Sequence, residues 1–187
     1  MTDTQKKPLW KNELVWLFLL TSGLFAILYS KFILGGYAYV FTDTGADTMQ
    51  INYAQYGLFS SLFRSGESGY VLQAGLGMDV SSYYPAYLIP YNLLILLAPQ
   101  RLLPWAVLAS AYLKMITISL VGYLFYRKLM QDGIGTMAAA LAWTFSGYVI
   151  LWGQHYGFCT CMALFTVFMY FLQCYLNGEQ RWKSAGS

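Results

Sequence analysis

The sequence predicts an all-α membrane protein, and three observations carry that prediction. First, 58% of its 187 residues are hydrophobic and only 10% are charged, whereas soluble domains carry about 25% charged residues. Second, the charges are missing from long stretches rather than thinned evenly; residues 133 to 178 contain no Asp, Glu, Lys or Arg at all. Third, aromatic residues make up 19% of the chain, with 17 Tyr and 6 Trp, the residues favoured at a lipid–water boundary. A net charge of +3 from scattered Lys and Arg gives no basic stripe, which argues against nucleic acid as a partner.

The elements follow in chain order. Leu14 to Ser30 is free of charge, and the first span is predicted at about 13–34. It reads as a retained anchor, because no small-residue cleavage site follows it. Residues 36–101 form a long segment on the far side of the membrane. Within it Ile51, Ala54, Leu58, Phe59, Leu62 and Phe63 recur at helical spacing, which predicts an amphipathic helix over 48–64. Ser65-Gly66-Glu67-Ser68-Gly69 ends that helix, and a glycine-rich loop follows. Residues 87–97 are apolar but too short to span, and read as a re-entrant or interfacial helix closed by Pro99 and Pro104. The second span is predicted at 103–126, interrupted only by Lys114.

The uncharged run from Gly133 to Gly178 is 46 residues long, or about 69 Å as helix. That is more than twice a hydrocarbon core of about 30 Å, so it must cross twice. The break belongs at Trp152–Gly157, giving spans at 134–152 and 157–176. The whole is one polytopic domain of about four spans over residues 1–187. Lys6, Lys7 and Lys11, then Arg127 and Lys128, then Arg181 and Lys183 fall on one side of such a bundle. The positive-inside rule makes that side, with both termini, cytoplasmic.

Cys159, Cys161 and Cys174 lie in the last apolar stretch with no second pair to complete a zinc site. They read as small packing residues. No P-loop, dinucleotide fingerprint or zinc-hydrolase helix is present, nor is a Ser/His/Asp set.

Three constellations bear chemistry. Asp43 and Asp47 stand four residues apart on the outer side, where a carboxylate could take a proton from an acceptor hydroxyl or hold a divalent cation. The same residues also fit a structural role: Asp47-Thr48-Met49-Gln50 has the form of a capping box, and Asp43-Thr44-Gly45 that of an Asx turn. Lys114 sits mid-span, about 16 Å from the nearer end along the helix. A cation at that depth costs about 2.5–3.5 kcal/mol to insert and faces a partner or cavity; here it suits an acidic residue or a lipid phosphate. His155, the one histidine, and Gln154 occupy the outer turn between the last two spans. Tyr84 and Asn92 are further polar candidates for an outer-face pocket.

The order GGYAYVFTDTGADT, INYAQY, QAGLGMD, YYPAYLIPYNLL, Leu113-Lys114 and SGYVILWGQHY resembles the start of the YfhO family of bacterial multi-pass membrane proteins, counted among the GT-C type glycosyltransferases. The resemblance runs over nearly the whole chain, which would correspond to the N-terminal portion of such a protein. It implies transfer of a sugar from a polyprenyl-phosphate carrier to a cell-envelope polymer such as lipoteichoic acid, on the outer face of the cytoplasmic membrane. It also implies a loop acid acting as general base, matched best by Asp47 and next by Asp43, and a cationic side for the donor phosphate, for which Lys114 and His155 are the candidates. Two other classes stay open: a small multi-span subunit that helps flip a lipid-linked sugar, and a transporter fragment. The acid-bearing outer segment favours the enzyme, and the scarcity of mid-depth charge disfavours the transporter.

Overall fold

The structure, a computed structural model, describes residues 12–40, 47–67, 69–72, 77–79, 89–130 and 132–178. Among the described residues it is all-α apart from one pair of two-residue strands. Among the described residues three helical stretches are long and apolar enough to cross a membrane: Gln100–Leu129, Gly133–Trp152 and Tyr156–Leu176.

The first expected span is different. Helix α1 (Glu13–Leu28) is 16 residues long and is followed, across Tyr29, by the five-residue α2 (Ser30–Leu34). Tyr29 leaves helical geometry at φ −101°, ψ 15°. Its ring stacks on Phe25 at 4.3 Å and meets Tyr39 edge-on at 5.2 Å. Aromatic packing worth about 0.5–1.5 kcal/mol per pair holds the chain at this bend, so residues 13–34 do not form one uninterrupted helix.

Residues 47–65 form one helical stretch, with a π-helical start (Thr48–Tyr53) running into α3 (Ala54–Ser65). Gly66 ends it in the left-handed conformation, φ 72°, where glycine carries no Cβ penalty. The predicted apolar face is only half right. Phe59 and Leu62 are buried, but Ile51 and Phe63 are exposed, and Tyr56 and Ser60 take the buried stripe instead. Both are satisfied there: Ser60 Oγ donates to Ala98 O at 2.7 Å and Tyr56 OH to Asn92 Oδ1 at 3.3 Å. Strands β1 (Tyr70–Val71) and β2 (Met78–Asp79) pair antiparallel, with Tyr70 opposite Asp79 and Val71 opposite Met78. Val71 joins Phe59, Leu62 and Leu96 in a small apolar cluster. The short helix expected at 87–97 is a 3-10 turn at Pro90–Asn92 leading into α4 (Leu93–Leu97), and it stops before Pro99 as expected.

Helix α5 (Leu103–Leu129) is the axis of the fold, packing against α1, α4 and the two later spans. The third span contains a break that the apolar pattern does not announce. Helix α6 (Gly133–Thr144) and α7 (Gly147–Trp152) are separated at Phe145–Ser146. Thr144 Oγ1 bonds back to Ala140 O at 2.7 Å, and such back-bonding next to a Ser-Gly pair bends helices. Helix α8 (Tyr156–Leu176) then completes the hairpin, with the turn where the sequence predicts it.

Two ends of the bundle are tied differently. At the end holding Glu13, the Tyr123 hydroxyl donates to the Glu13 carboxylate. A Cβ on Gly133 would collide with that carboxylate, so α1, α5 and α6 converge there. Asp132 caps α6, accepting from Ile134 N at 3.3 Å and Gly135 N at 2.6 Å. At the other end the 47–65 helix meets the α7–α8 turn through Thr48 and Gln154, and Tyr39, Tyr56, Val107, Met115 and Tyr156 belong to the main core.

Candidate functional site

Tyr156 organises the candidate site, because it is the first residue of α8 and three separate segments converge on it. Its ring stacks on Tyr56 of α3 with centroids 5.3 Å apart and lies 5.8 Å from the Tyr39 ring. Its hydroxyl donates to the Tyr39 carbonyl. Its own carbonyl accepts from Lys114 Nζ and from Thr160 Oγ1, each at 3.2 Å. Through Tyr56 the network extends to Asn92, which is 4% exposed.

Lys114 is 2% exposed. Its side chain leaves a Cα–Cβ bond tilted toward the N-terminus of α5, which is the direction of the α7–α8 turn. A backbone carbonyl is one of the two partners that charged side chains find inside a membrane protein, and here it is the Tyr156 carbonyl. One helical turn earlier, the Ser110 hydroxyl is buried with no hydrogen-bond partner among the described residues. Ser110 and Lys114 are at i and i+4, on one face of α5, so an ammonium with donors to spare and an unused hydroxyl share that face.

Asp47 does not cap its helix. Its backbone is helical, φ −58° and ψ −38°, and its side chain makes no cap hydrogen bond; the expected capping box is not formed. The helix opens with π-helical geometry instead, a form concentrated at functional sites, in which Asn52 Nδ2 donates to Asp47 O at 3.3 Å. The next residue, Thr48, is fully buried and its Oγ1 donates to Gln154 O at 3.4 Å. That bond fixes the start of the 47–65 helix on the α7–α8 turn, and so brings Asp47 to the turn whose Tyr156 carbonyl Lys114 reaches.

His155 makes aromatic contacts at this turn. Its ring centroid is 5.8 Å from that of Trp152 and 5.6 Å from that of Phe158. Asp43 and Tyr84 lie outside the described residues. Among the described residues no three His, Cys, Asp or Glu side chains group as a metal site, and the three cysteines are thiols not joined in disulfides.

Of the residues singled out from sequence, Asp47, Asn92, Lys114 and Gln154 are thus linked directly or through one neighbour to the Tyr156 turn. Three tyrosines of this network, Tyr39, Tyr56 and Tyr156, are not distinguishable in sequence from the other Tyr residues. Ser110 is, since a Ser four residues before the lone span lysine marks the same polar face. Burial pushes the Tyr39 phenol well above its ordinary range, followed by the neighbouring Tyr29, so it stays a neutral hydroxyl and donates to Tyr29 OH at 3.5 Å. The arrangement offers an acid at a helix start, a buried cation and neutral hydroxyls at one end of an apolar bundle. Compared with known proteins, the chain matches no family model, no curated protein and no solved structure.

Proposed function

We propose that this chain is a membrane glycosyltransferase-like protein that passes a sugar from a polyprenyl-phosphate carrier to a cell-envelope polymer. In this reading both termini are cytoplasmic and the Tyr156 end faces outward in a bacterial cytoplasmic membrane. Asp47 is the general base on the acceptor hydroxyl. Lys114 stabilises the departing carrier phosphate, and His155 is a second candidate for that side.

The observation that carries the reading is the convergence of Asp47, Gln154 and Lys114 on one turn. Thr48 anchors the acid's helix to Gln154, and Lys114 binds the carbonyl two residues further on. General-base catalysis needs a proton acceptor within reach of the hydroxyl. Stabilising a leaving phosphate needs a preorganised cation in a water-poor setting.

Asp47→Asn tests this reading in membranes of cells making the protein, with a labelled polyprenyl-phosphate sugar as donor. Asparagine keeps the size of aspartate and a side-chain oxygen that accepts hydrogen bonds, so expression and thermal stability are expected to stay nearly unchanged while sugar transfer is lost. Transfer at near-normal rate would remove Asp47 from the chemistry. Lys114→Met is expected to insert normally and also lose transfer. A cysteine placed at position 68 should react with an impermeant reagent from outside intact cells, and labelling only after permeabilisation would invert the orientation.

A further inference from the structure

Two adjoining hollows lie beside the bend between α1 and α2, away from the Lys114 side of the turn. The first is a groove of about 470 Å³, within the range of small-molecule sites and far larger than an ion or a water requires. Leu28 and Phe32 form one wall, and Ile150 and Leu151 the other. Tyr29 and Gln154 supply its polar end. The second is a cleft of about 460 Å³ that shares Phe32 with the groove and contains Lys31, Gly35 and Tyr37. An apolar trough therefore runs into a compartment holding a cation.

The depth of this pair decides what can reach it. Helix α1 from Glu13 to Leu28 rises about 22 Å at roughly 1.5 Å per residue, and Lys31 follows three residues later, past the bend, towards the far side of a hydrocarbon core of about 30 Å. Lys31 thus stands near the headgroup level when Glu13 stands at the opposite boundary. The groove below it is bordered by Leu28 and Leu151, 53% and 69% exposed, side chains that face acyl chains in a membrane. Among the described residues no carboxylate pairs with Lys31.

The cleft is built by the backbone. Gly36 turns the chain at φ +66°, and a Cβ at Gly35 would strike the Tyr37 ring at 2.8 Å. Glycines at both positions let the Tyr37 ring fold back beside Lys31 as the cleft's outer wall.

We propose that the groove and cleft together bind one anionic glycerophospholipid, an acyl chain lying along Leu28, Phe32 and Ile150 and the phosphate seated at Lys31. The trough supplies the apolar contact, and the single cation selects against headgroups that bring their own ammonium. The lipid would brace the α1–α2 bend against α7, two elements that otherwise leave a gap between them. The groove shares Gln154 with the sugar-transfer reading, but the cation at Lys31 takes no part in that reading, and the test reads lipid binding alone.

The whole chain, purified in detergent, is offered phosphatidylglycerol and phosphatidylcholine of identical acyl chains, and retained lipid is read by native mass spectrometry. A preference of about fivefold for phosphatidylglycerol is expected, the value of one juxtamembrane cation. It should vanish in Lys31→Gln and return in Lys31→Arg. Leu151→Trp, which fills the groove from its rim, should lower retention of both lipids. Equal retention by the unaltered chain, or a preference that survives Lys31→Gln, would overturn the proposal. So would displacement of phosphatidylglycerol by an equimolar polyprenyl phosphate, which would give the groove to an isoprenoid chain instead.

Discussion

Helices α5 and α8 are equally apolar by mean hydropathy, yet 56% of the spanning stretch through α5 is buried inside the protein and only 22% of that in α8. The difference is written in which residues interrupt the apolar background. Helix α5 carries Ser110, Lys114, Ser119, Gly122 and Tyr123, all buried. Helix α8 presents Leu164, Phe165, Phe168 and Phe171, all between 46% and 58% exposed. Lipid tails are as apolar as leucine, so association inside a membrane relies on small residues and hydrogen bonds rather than on hydrophobicity. The polar residues of α5 mark it as the centre of the bundle, and the phenylalanines of α8 mark its rim.

The strongest way to break this comparison is to move the cation. Phe168 is near the middle of α8 and 58% exposed. Phe168→Lys should cost about 2.5–3.5 kcal/mol of insertion free energy, read by a membrane-insertion assay, because on that face no carbonyl is offered as Tyr156 offers one to Lys114. Insertion as efficient as that of the parent chain would mean that the exposed face of α8 is covered by protein or reached by water.

Neighbouring positions sharpen the contrast further. Ala163 is fully buried in the core that α8 shares with α5, while Leu164 is 47% exposed. Ala163→Leu overpacks the interface and should destabilise by about 1–3 kcal/mol. Leu164→Ala should change stability by less than about 0.5 kcal/mol. Thermal unfolding of both variants in the same detergent measures the difference. Equal effects would place Ala163 on a surface that can relax.

The same contrast explains what was legible in the sequence. Charge-free length announces helices that must cross, and the Trp152–Gly157 break was visible because 46 uncharged residues exceed one crossing. The bends at Tyr29 and Ser146 were not visible. Each depends on tertiary partners, Tyr39 and Phe25 around Tyr29, or on one back-bonded hydroxyl at Thr144, and neither alters hydropathy. At the site, Lys114 stood out because a lysine amid apolar residues must have a partner. The identity of that partner, a backbone carbonyl, leaves no trace in sequence. Asp47 carried a capping-box pattern that the fold does not use, since the π-helical start continues the helix through Asp47 and removes the extended residue that a cap requires.

The smallest effect is the most discriminating for how α1 attaches to α5. Thr21 and Ser119 are both fully buried, and their hydroxyls hydrogen-bond to each other at 2.7 Å. In water-soluble proteins such a pair would be one of many; in a membrane bundle it is one of few specific links between these helices. Thr21→Val leaves the Ser119 hydroxyl without its partner, and Ser119→Ala does the same to Thr21. Each single change therefore costs more than the lost bond alone, because an unmatched buried hydroxyl remains. The double variant removes both groups together. Its destabilisation should fall short of the sum of the singles by about 0.6 kcal/mol, the usual size of an interhelical hydrogen bond in a membrane protein. Unfolding measurements on the four chains of this cycle read that shortfall directly. Strict additivity would mean that the two hydroxyls find other partners when separated, and that this pair adds nothing to the hold of α1 on α5.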